Sequence, residues 1–476
     1  MLSSPRPSRA RTVAILGCVG VVLLVYVRCA WSYEKDLNPA PDRNDFHNLV
    51  ADALVHRQVA LTIKPPPGLL ELKQPYDPVA NAPYRGQGLH DLSLYKGKLY
   101  AFYGPAPAVL LFIPFRLLRV GELSPTLAGL VFCTLGFAFS ILLFRKLARL
   151  FFGDLPTWMD CFAILGLGLA IPAPFIIYIG RAYEVSIACA YFLLFAGLYF
   201  LVSGLLSNTR ARLPFLALGS AGLASTVGAR PNFIVAALFI AVAIVLVVRG
   251  SRTEPRRERI QQVAAIVVPY VIIGALLALY NFARFDALTE FGARYQLTGA
   301  DSTKYAYYQL WYIPHGLYYY LLAPARLSHT YPYAFLLNDV PFVQSNDVYT
   351  HEPVAGVLTN MPLVGLGLVF TATQVHRLYR ERRLALLAIV SAILVAAAIV
   401  GSAAYALRGA TMRYTLDFAP LLLVAVLLAW AFWTLRLNAR GLSFWLLQTP
   451  WVLALIVSML FNVAITHTPC QGTGSC

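Results

Sequence analysis

Long apolar runs, separated by short polar or basic segments, follow one another through most of the chain. Because a transmembrane helix needs about 20 mostly apolar residues to cross roughly 30 Å of hydrocarbon, this pattern predicts about eleven membrane-spanning helices. They lie near residues 12–31, 124–144, 158–179, 183–206, 213–229, 231–249, 260–281, 354–374, 384–407, 415–436 and 442–464. The pattern therefore predicts an all-α, polytopic membrane protein, with residues 1–476 as a single membrane domain.

Composition agrees with this pattern and excludes a soluble domain. Of the 476 residues, 59% are hydrophobic and only 13% are charged, whereas soluble proteins have about 25% charged residues. The net charge of +16 would suggest nucleic-acid binding in a soluble protein. Here the basic residues mostly lie in short clusters between apolar runs, as the positive-inside rule describes. We therefore expect the lipid bilayer, and not nucleic acid, as the partner of these charges.

The basic clusters also predict the orientation of the chain. The first apolar run follows Arg6, Arg9 and Arg11, and it is interpreted as a retained signal-anchor helix with a cytoplasmic amino terminus. Residues 105–119 are apolar but short and contain prolines, which favours an interfacial or re-entrant helix. The remaining clusters predicted to be cytoplasmic are Arg145–Arg149, Arg210–Arg212, Arg249–Arg259, His376–Arg383 and Arg436–Arg440.

Two long polar stretches interrupt the apolar pattern, at residues 32–104 and 282–353, and both are predicted to be extracytoplasmic. They contain 14 of the 22 acidic residues and six of the eight histidines. Ionisable groups concentrated in loops on one side of a scaffold are typical of binding or catalysis. The first loop is the candidate catalytic segment and the second the candidate substrate-binding segment, each with helices at the membrane surface.

The first loop contains a predicted amphipathic helix that begins after Asp45. Apolar residues at 46, 49, 50, 53 and 54 recur with helical spacing. Asp45 has two interpretations at this position, because an aspartate at a helix start is either a simple cap or a group that performs chemistry. Further along, the alternation around Lys96-Gly97-Lys98 predicts a β-hairpin.

The layout and several short strings resemble the glycosyltransferase C superfamily. The nearest resemblance is to protein O-mannosyltransferases, lipid A aminoarabinose transferases and related bacterial family-39-type enzymes, which carry an Asp followed two residues later by His on a helix of the first loop. The strings are Asp91–Pro107, Asn281–Asp286, Glu290–Gln296 and Arg413–Pro420. Two departures are visible: Phe46 stands where the mannosyltransferases have a second acidic residue, and Gly104–Pro107 replaces their Lys-Pro-Pro.

The resemblance implies inverting transfer of a sugar from a polyprenyl-phosphate lipid to an extracytoplasmic glycan, lipid or protein hydroxyl. It assigns Asp45 as the catalytic base. Cations must then meet the phosphate as it gains charge, and Arg suits a bidentate grip on it. Arg413 is such a candidate, although an arginine at a helix end also reaches lipid headgroups. The candidate substrate-binding residues are His47, Lys96, Lys98, Tyr100, Arg294, Tyr295 and Arg413.

Three other ionisable residues stand near predicted outward helix ends. Asp417 follows Arg413 by four residues, which favours an intrahelical pair. Glu184 has a similar place, and ionisable groups at such depth usually face a cavity or a partner. Arg230 is interpreted as part of a tight outward turn or of the site.

No obligatory metal or other cofactor is expected, since the sequence has no Asp-X-Asp string and no closely paired histidines, although Asn338-Asp339 and Asn346-Asp347 leave a divalent-cation site conceivable. Cys470 and Cys476 could form a disulfide if their compartment is oxidising. Two alternative functions remain open. A transporter or lipid flippase is one, although mid-span positions are almost wholly apolar. A non-catalytic member of the same fold is the other, because of the missing acidic pair.

Overall fold

The computed structural model describes residues 9–34, 36–38, 45–118, 121–250, 255–304, 309–331, 333–336, 350–380, 390–393, 395–399, 401, 409–437 and 441–467. Most of the predicted span 384–407 lies outside these ranges, as do Cys470 and Cys476.

Helices make up most of the described chain. In order they are α1 (Arg9–Glu34), α2 (Phe46–Val55), α3 (Pro67–Leu70), α4 (Ala82–Tyr84), α5 (Ile113–Leu117), α6 (Pro125–Phe152), α7 (Thr157–Leu169), α8 (Ala173–Ile179), α9 (Ala182–Leu206), α10 (Arg212–Ala229), α11 (Ala237–Gly250), α12 (Arg256–Phe285), α13 (Ile313–Leu317), α14 (Val357–Asn360), α15 (Pro362–Arg380), α16 (Val390–Ile399), α17 (Ala419–Thr434) and α18 (Gly441–Ala464). The strands are β1 (Leu92–Tyr95), β2 (Lys98–Ala101), β3 (Arg326–Leu327), β4 (Ala334–Phe335), β5 (Thr350–His351) and β6 (Gly409–Ala410).

Seven helical stretches within the described ranges are long and apolar enough to cross a bilayer. They are Arg9–Trp31, Pro125–Phe152, Thr157–Ile179, Ala182–Leu206, Pro231–Gly250, Arg256–Phe285 and Gly441–Ala464, and each coincides with a predicted span. The predicted spans 213–229, 354–374 and 415–436 correspond to α10, to α14 with α15, and to α17. The prediction of an all-α polytopic membrane protein is confirmed.

The predicted span 158–179 is not a continuous helix. It forms α7 and α8, which are separated at Ala170–Pro172. Pro172 and Pro174 explain the break, because proline lacks the backbone N–H that a helix interior needs and clashes with the preceding turn. The structure also has a helix in the proline-containing segment 105–119, where Ala108–Leu117 is a short apolar helix. Its ten residues reach about 15 Å, which is half of the hydrocarbon thickness.

Burial differs strongly from helix to helix. α17 is apolar on all sides, and every residue in it except Trp433 is buried, as expected for a helix at the centre of a bundle. In α12, by contrast, only 6% of the apolar window is buried. α17 is therefore a core helix, and α12 lies at the lipid-facing rim.

The two long loops meet at one end of the helices. β1 and β2 form the predicted hairpin, with positive φ at Lys96 and Gly97, as in the type I′ turns that suit the twist of two strands. The second loop adds to this hairpin: the backbone N–H of Leu297 donates to the carbonyl of Leu92 at 2.9 Å, and Ser93 Oγ donates to the carbonyl of Gly292 at 2.8 Å. This end of the molecule carries the candidate site.

Candidate active site

Asp45 lies at the start of α2 and caps that helix. Its carboxylate accepts hydrogen bonds from the backbone N–H of Asn48 and from Asn48 Nδ2, the latter at 2.5 Å. Asn48 Nδ2 also donates to the carbonyl of Leu123 at 2.8 Å, which ties α2 to the segment before α6. The capping interpretation is confirmed, and the catalytic role of Asp45, which capping does not exclude, stays a prediction.

The acid–base behaviour of Asp45 is unusual for an aspartate. Its side chain is buried, and burial raises the pKa of the carboxyl to about 7 against the opposing effect of hydrogen bonds from Asn48 and from the backbone N–H of His47. A general base is most effective when its pKa lies near the operating pH. Asp45 therefore changes charge in the range where a base is useful.

His47, the second residue of the same helix, is fully buried and held in one tautomer. Its Nε2 lies 2.9 Å from the carbonyl oxygen of Ala182. Because a carbonyl only accepts hydrogen bonds, Nε2 carries the proton and Nδ1 is a bare acceptor. Burial lowers the pKa of His47 to about 4, so the ring is neutral near pH 7. Among the described residues, Nδ1 has no hydrogen-bond partner.

A row of side chains connects His47 to Asp91. The rings of His47 and Tyr103 lie 5.4 Å apart, and those of Tyr103 and Tyr183 lie 5.6 Å apart, measured between centroids. The hydroxyl of Tyr183 donates to Asp91 Oδ2. Asp91 has a φ of 62°, a left-handed conformation that costs a non-glycine residue about 1–3 kcal/mol and occurs often at functional sites.

Arg413 completes this group at the other side of Tyr183. Its guanidinium carbon lies 4.9 Å from the centre of the Tyr183 ring, Nη1 lies 3.5 Å from Glu184 Oε1, and Nη2 lies 2.7 Å from Glu352 Oε1. Although burial alone would lower the pKa of Arg413, the two carboxylates raise it above the usual range. We call the following residues the His47–Arg413 cluster: His47, Asp91, Tyr103, Tyr183, Glu184, Glu352 and Arg413.

Strand pairing and hydrogen bonds fix Glu352 next to the segment that carries Arg413. β5 pairs in parallel with β6, and the backbone N–H of Glu352 donates to the carbonyl of Ala410 at 2.8 Å. Thr411 Oγ1 donates to the second carboxylate oxygen of Glu352 at 2.9 Å. The end of the second loop is thereby fastened beside Arg413. Glu352 is the more accessible of its two carboxylate partners, with a side chain 35% exposed against 0% for Glu184.

The partner of Asp417 corrects a prediction. Asp417 pairs with Arg230 and not with Arg413: Arg230 Nη2 lies 2.8 Å from Asp417 Oδ2. Asn232 Nδ2 adds a hydrogen bond to the same oxygen at 3.3 Å, and the Arg230 guanidinium stacks on the ring of Tyr414 at 4.5 Å. Arg230 thus joins the end of α10 to the segment before α17.

The candidate binding residues of the hairpin and second loop form a separate group. Tyr295 packs between Tyr95 and Phe285, at 4.7 and 5.7 Å between ring centroids. Tyr100 contacts Phe285 at 5.3 Å, and Lys96 pairs with Asp286 at 2.7 Å. The remaining two candidates, Lys98 and Arg294, are exposed. Of the predicted binding residues, His47 and Arg413 therefore belong to the His47–Arg413 cluster, whereas the other five lie in or near this aromatic group.

Four members of the cluster were not singled out from the sequence as site residues, namely Asp91, Tyr103, Tyr183 and Glu352. The available signal for Tyr183 was its position directly before Glu184, a carboxylate residue that lies within an apolar run. Asp91 and Tyr103 lie in the Asp91–Pro107 string that carries the family resemblance, whereas Glu352 has no such signal, because its importance depends on contacts between distant segments.

The described residues contain no group of three or more His, Cys, Asp or Glu side chains placed to hold a metal ion. The expectation that no metal is required stays a prediction.

Comparison with known structures gives the fold. The chain is similar to the oligosaccharyltransferase of the archaeon Archaeoglobus fulgidus in its apo form, with a TM-score of 0.54 and 12% identity over 97% of this chain and 57% of that one. A structure of the same archaeon's oligosaccharyltransferase with an inhibitory peptide and a dolichol-phosphate aligns with a TM-score of 0.48 and 13% identity, over 98% and 57% of the two chains. No protein-family model and no curated relative matches the sequence.

This chain therefore spans little more than half the length of those archaeal chains. At such low identity the likeness shows the fold alone. The chain has a membrane fold similar to that of the archaeal oligosaccharyltransferase, which agrees with the fold that its short strings led us to expect.

Proposed function

We propose that the chain is an integral-membrane inverting glycosyltransferase that moves a sugar from a polyprenyl-phosphate donor to a hydroxyl group of an extracytoplasmic glycan, lipid or protein. The observation that carries this proposal is the buried Asp45 carboxyl, with a pKa of about 7, in a glycosyltransferase C-like fold. Such a group is ionised in part at neutral pH and is basic enough to accept a hydroxyl proton.

In the proposed reaction, Asp45 takes the proton of the acceptor hydroxyl as its oxygen attacks the anomeric carbon. The bond between that carbon and the phosphate oxygen breaks, and polyprenyl phosphate leaves. Direct displacement at one face of the sugar inverts the anomeric configuration. His47, two residues after Asp45, is proposed to accept a hydrogen bond from a second substrate hydroxyl at its bare acceptor Nδ1.

Arg413 is the proposed partner of the leaving phosphate. It is already neutralised by Glu184 and Glu352, so a phosphate binds there most easily in place of the more exposed Glu352. A buried guanidinium stabilises the charge that develops on the phosphate better than one in water. Lys96, Lys98, Tyr100, Arg294 and Tyr295 are proposed to contact the acceptor or the distal part of the donor.

The test is a transfer assay on membranes that contain the chain, with a panel of polyprenyl-phosphate sugars and an extract of candidate acceptors. The proposal expects one donor to lose its sugar and to yield free polyprenyl phosphate together with a glycosylated product. The same membranes with the Asp45→Asn chain should leave that donor intact. Movement of an intact donor between leaflets, without cleavage, would instead favour a flippase and contradict the proposal.

A further inference from the structure

A cavity lies far from the candidate active site. It has a volume of about 360 Å³ and is bounded by α6, α9, α11 and α16. On α9 its lining begins at Leu198 and ends at Leu206. At 1.5 Å per residue, these positions lie about 21–33 Å from Glu184 along the helix axis. Since the hydrocarbon core is about 30 Å thick, the cavity belongs to the opposite leaflet from the His47–Arg413 cluster.

Among the described residues, the lining of this cavity is apolar with a single cationic exception. Leucine, isoleucine, valine, alanine and phenylalanine side chains form its walls, and the lining also includes Arg212, the first residue of α10, and Gly250, the last residue of α11. A buried water needs two to four polar partners, so an apolar cavity of this kind is unsuited to ordered water.

The depth of the cavity indicates its occupant. The cavity lies within the hydrocarbon region of the bilayer, where acyl chains are the surrounding medium. The lining positions on α9 form an apolar stripe along which one hydrocarbon chain can extend, namely Leu198, Leu201, Val202, Leu205 and Leu206. We therefore expect a lipid tail as the occupant.

The basic residues at one end of the cavity indicate that the lipid headgroup is anionic. Arg212 lies where α10 begins, and Arg210 and Arg249 are exposed at the adjoining helix ends. Basic side chains at this level attract anionic lipids by roughly 1 kcal/mol each.

We propose that this cavity is a specific site for one anionic phospholipid of the leaflet opposite the active site, with an acyl chain between α6, α9 and α11 and its phosphate at Arg212. The site is independent of the proposed transfer reaction, since it shares no residue with the His47–Arg413 cluster. It stabilises the pairing of α11 with α9 by filling the space between them.

Native mass spectrometry of the full-length chain tests this, after exchange into detergent that contains phosphatidylglycerol and phosphatidylcholine in equal amounts. The wild-type chain should retain one phosphatidylglycerol in preference to phosphatidylcholine. Arg212→Gln should reduce that preference about fivefold, the effect of one interfacial charge. Loss of all lipid from the wild type, or an unchanged preference in Arg212→Gln, would overturn the proposal.

A matched pair of tryptophan variants on α11 tests the acyl-chain part of the site. Ala243 is 1% exposed and lines the cavity, whereas Val245 is 46% exposed and is not among its lining residues. Ala243→Trp should lower the retained fraction of lipid at least tenfold, while Val245→Trp should retain as much as the wild type. Equal retention by the two variants would contradict the proposal. Leu246→Trp, at a lining position that is 41% exposed, gives the same comparison if Ala243→Trp does not fold.

Discussion

Asp417 pairs with Arg230, from the end of α10, at 2.8 Å, although Arg413 precedes it by only four residues. The local backbone explains this choice, because Met412–Asp417 is a 3-10 helix. With three residues per turn, residues four apart do not share a face as they do in an α-helix. The pair therefore links two helices and leaves Arg413 to the carboxylates of Glu184 and Glu352.

This pair should contribute strongly to stability. Arg230→Met leaves Asp417, which is 2% exposed, without its cation, and breaking a buried pair in this way costs about 3–5 kcal/mol. The double variant Arg230→Met/Asp417→Leu should recover most of that loss, because no uncompensated charge remains. Thermal unfolding in detergent measures both variants. A double variant as unstable as the single one would show that the carboxylate is not the cause.

A close approach between two glycines holds the first loop against the helices. A Cβ on Gly104 would overlap the backbone carbonyl of Gly228, near the end of α10, whereas a Cβ on Gly86 would meet nothing within 4 Å. Gly104→Ala should therefore lower the unfolding temperature clearly, while Gly86→Ala should leave it nearly unchanged. Equal unfolding temperatures for the two variants would mean that the contact is not tight in the membrane.

Arg413 should act on the donor more than on the acceptor. Arg413→Lys keeps the charge but loses the bidentate fork, which Lys does not reproduce. The KM for the lipid donor is expected to rise at least tenfold, with a smaller change in the KM for the acceptor. Arg116→Lys is the control, because Arg116 pairs with Asp52 at 2.5 Å outside the cluster. Equal changes in both KM values would indicate that Arg413 is structural.

The pH dependence of transfer should follow Asp45. Burial raises the pKa of its carboxyl to about 7, and the base acts only when ionised, so kcat/KM should rise with pH and level off above about pH 7. A profile that is flat across that pH would contradict the role of Asp45 as the base.

The same pKa shift predicts an effect on stability. The folded-state pKa of Asp45 lies above its ordinary value of 3.8, so the unfolded chain loses this proton first as the pH rises. The stability contributed by Asp45 should therefore fall between pH 3.8 and about 7. Asp45→Asn removes that fall and keeps the cap, since Asn is equally favoured there, so its unfolding temperature at pH 8 should not lie below that of the wild type.

Features set by local sequence were predictable in this chain. The capped helix that starts at Asp45 follows from apolar spacing within ten residues, and the hairpin follows from Lys96-Gly97, whose positive φ angles suit a two-residue turn. The apolar runs predict the spans because each helix satisfies its own backbone groups in lipid. The break at Pro172 was missed, although proline is itself a local signal for it.

The site could be predicted only in part, because its contacts join distant segments. Tyr183 meets Asp91 across 92 positions, and Arg413 meets Glu352 across 61. No spacing rule relates such pairs, and a short 3-10 segment was enough to redirect the expected Arg413–Asp417 pair. Single residues with unusual depth or charge were recognised, but their partners were not.

The transfer rate of Asp45→Asn in a single turnover, compared with that of Asp52→Asn, tests the central claim most directly. Both aspartates belong to the same helix region, but Asp52 pairs with Arg116 and is not part of the proposed reaction. With the donor found in the panel assay, Asp45→Asn should reduce the rate about 10²–10⁴-fold, the usual contribution of a general base, and Asp52→Asn should change it by less than about fivefold. Turnover by Asp45→Asn at close to the wild-type rate would remove Asp45 from the mechanism.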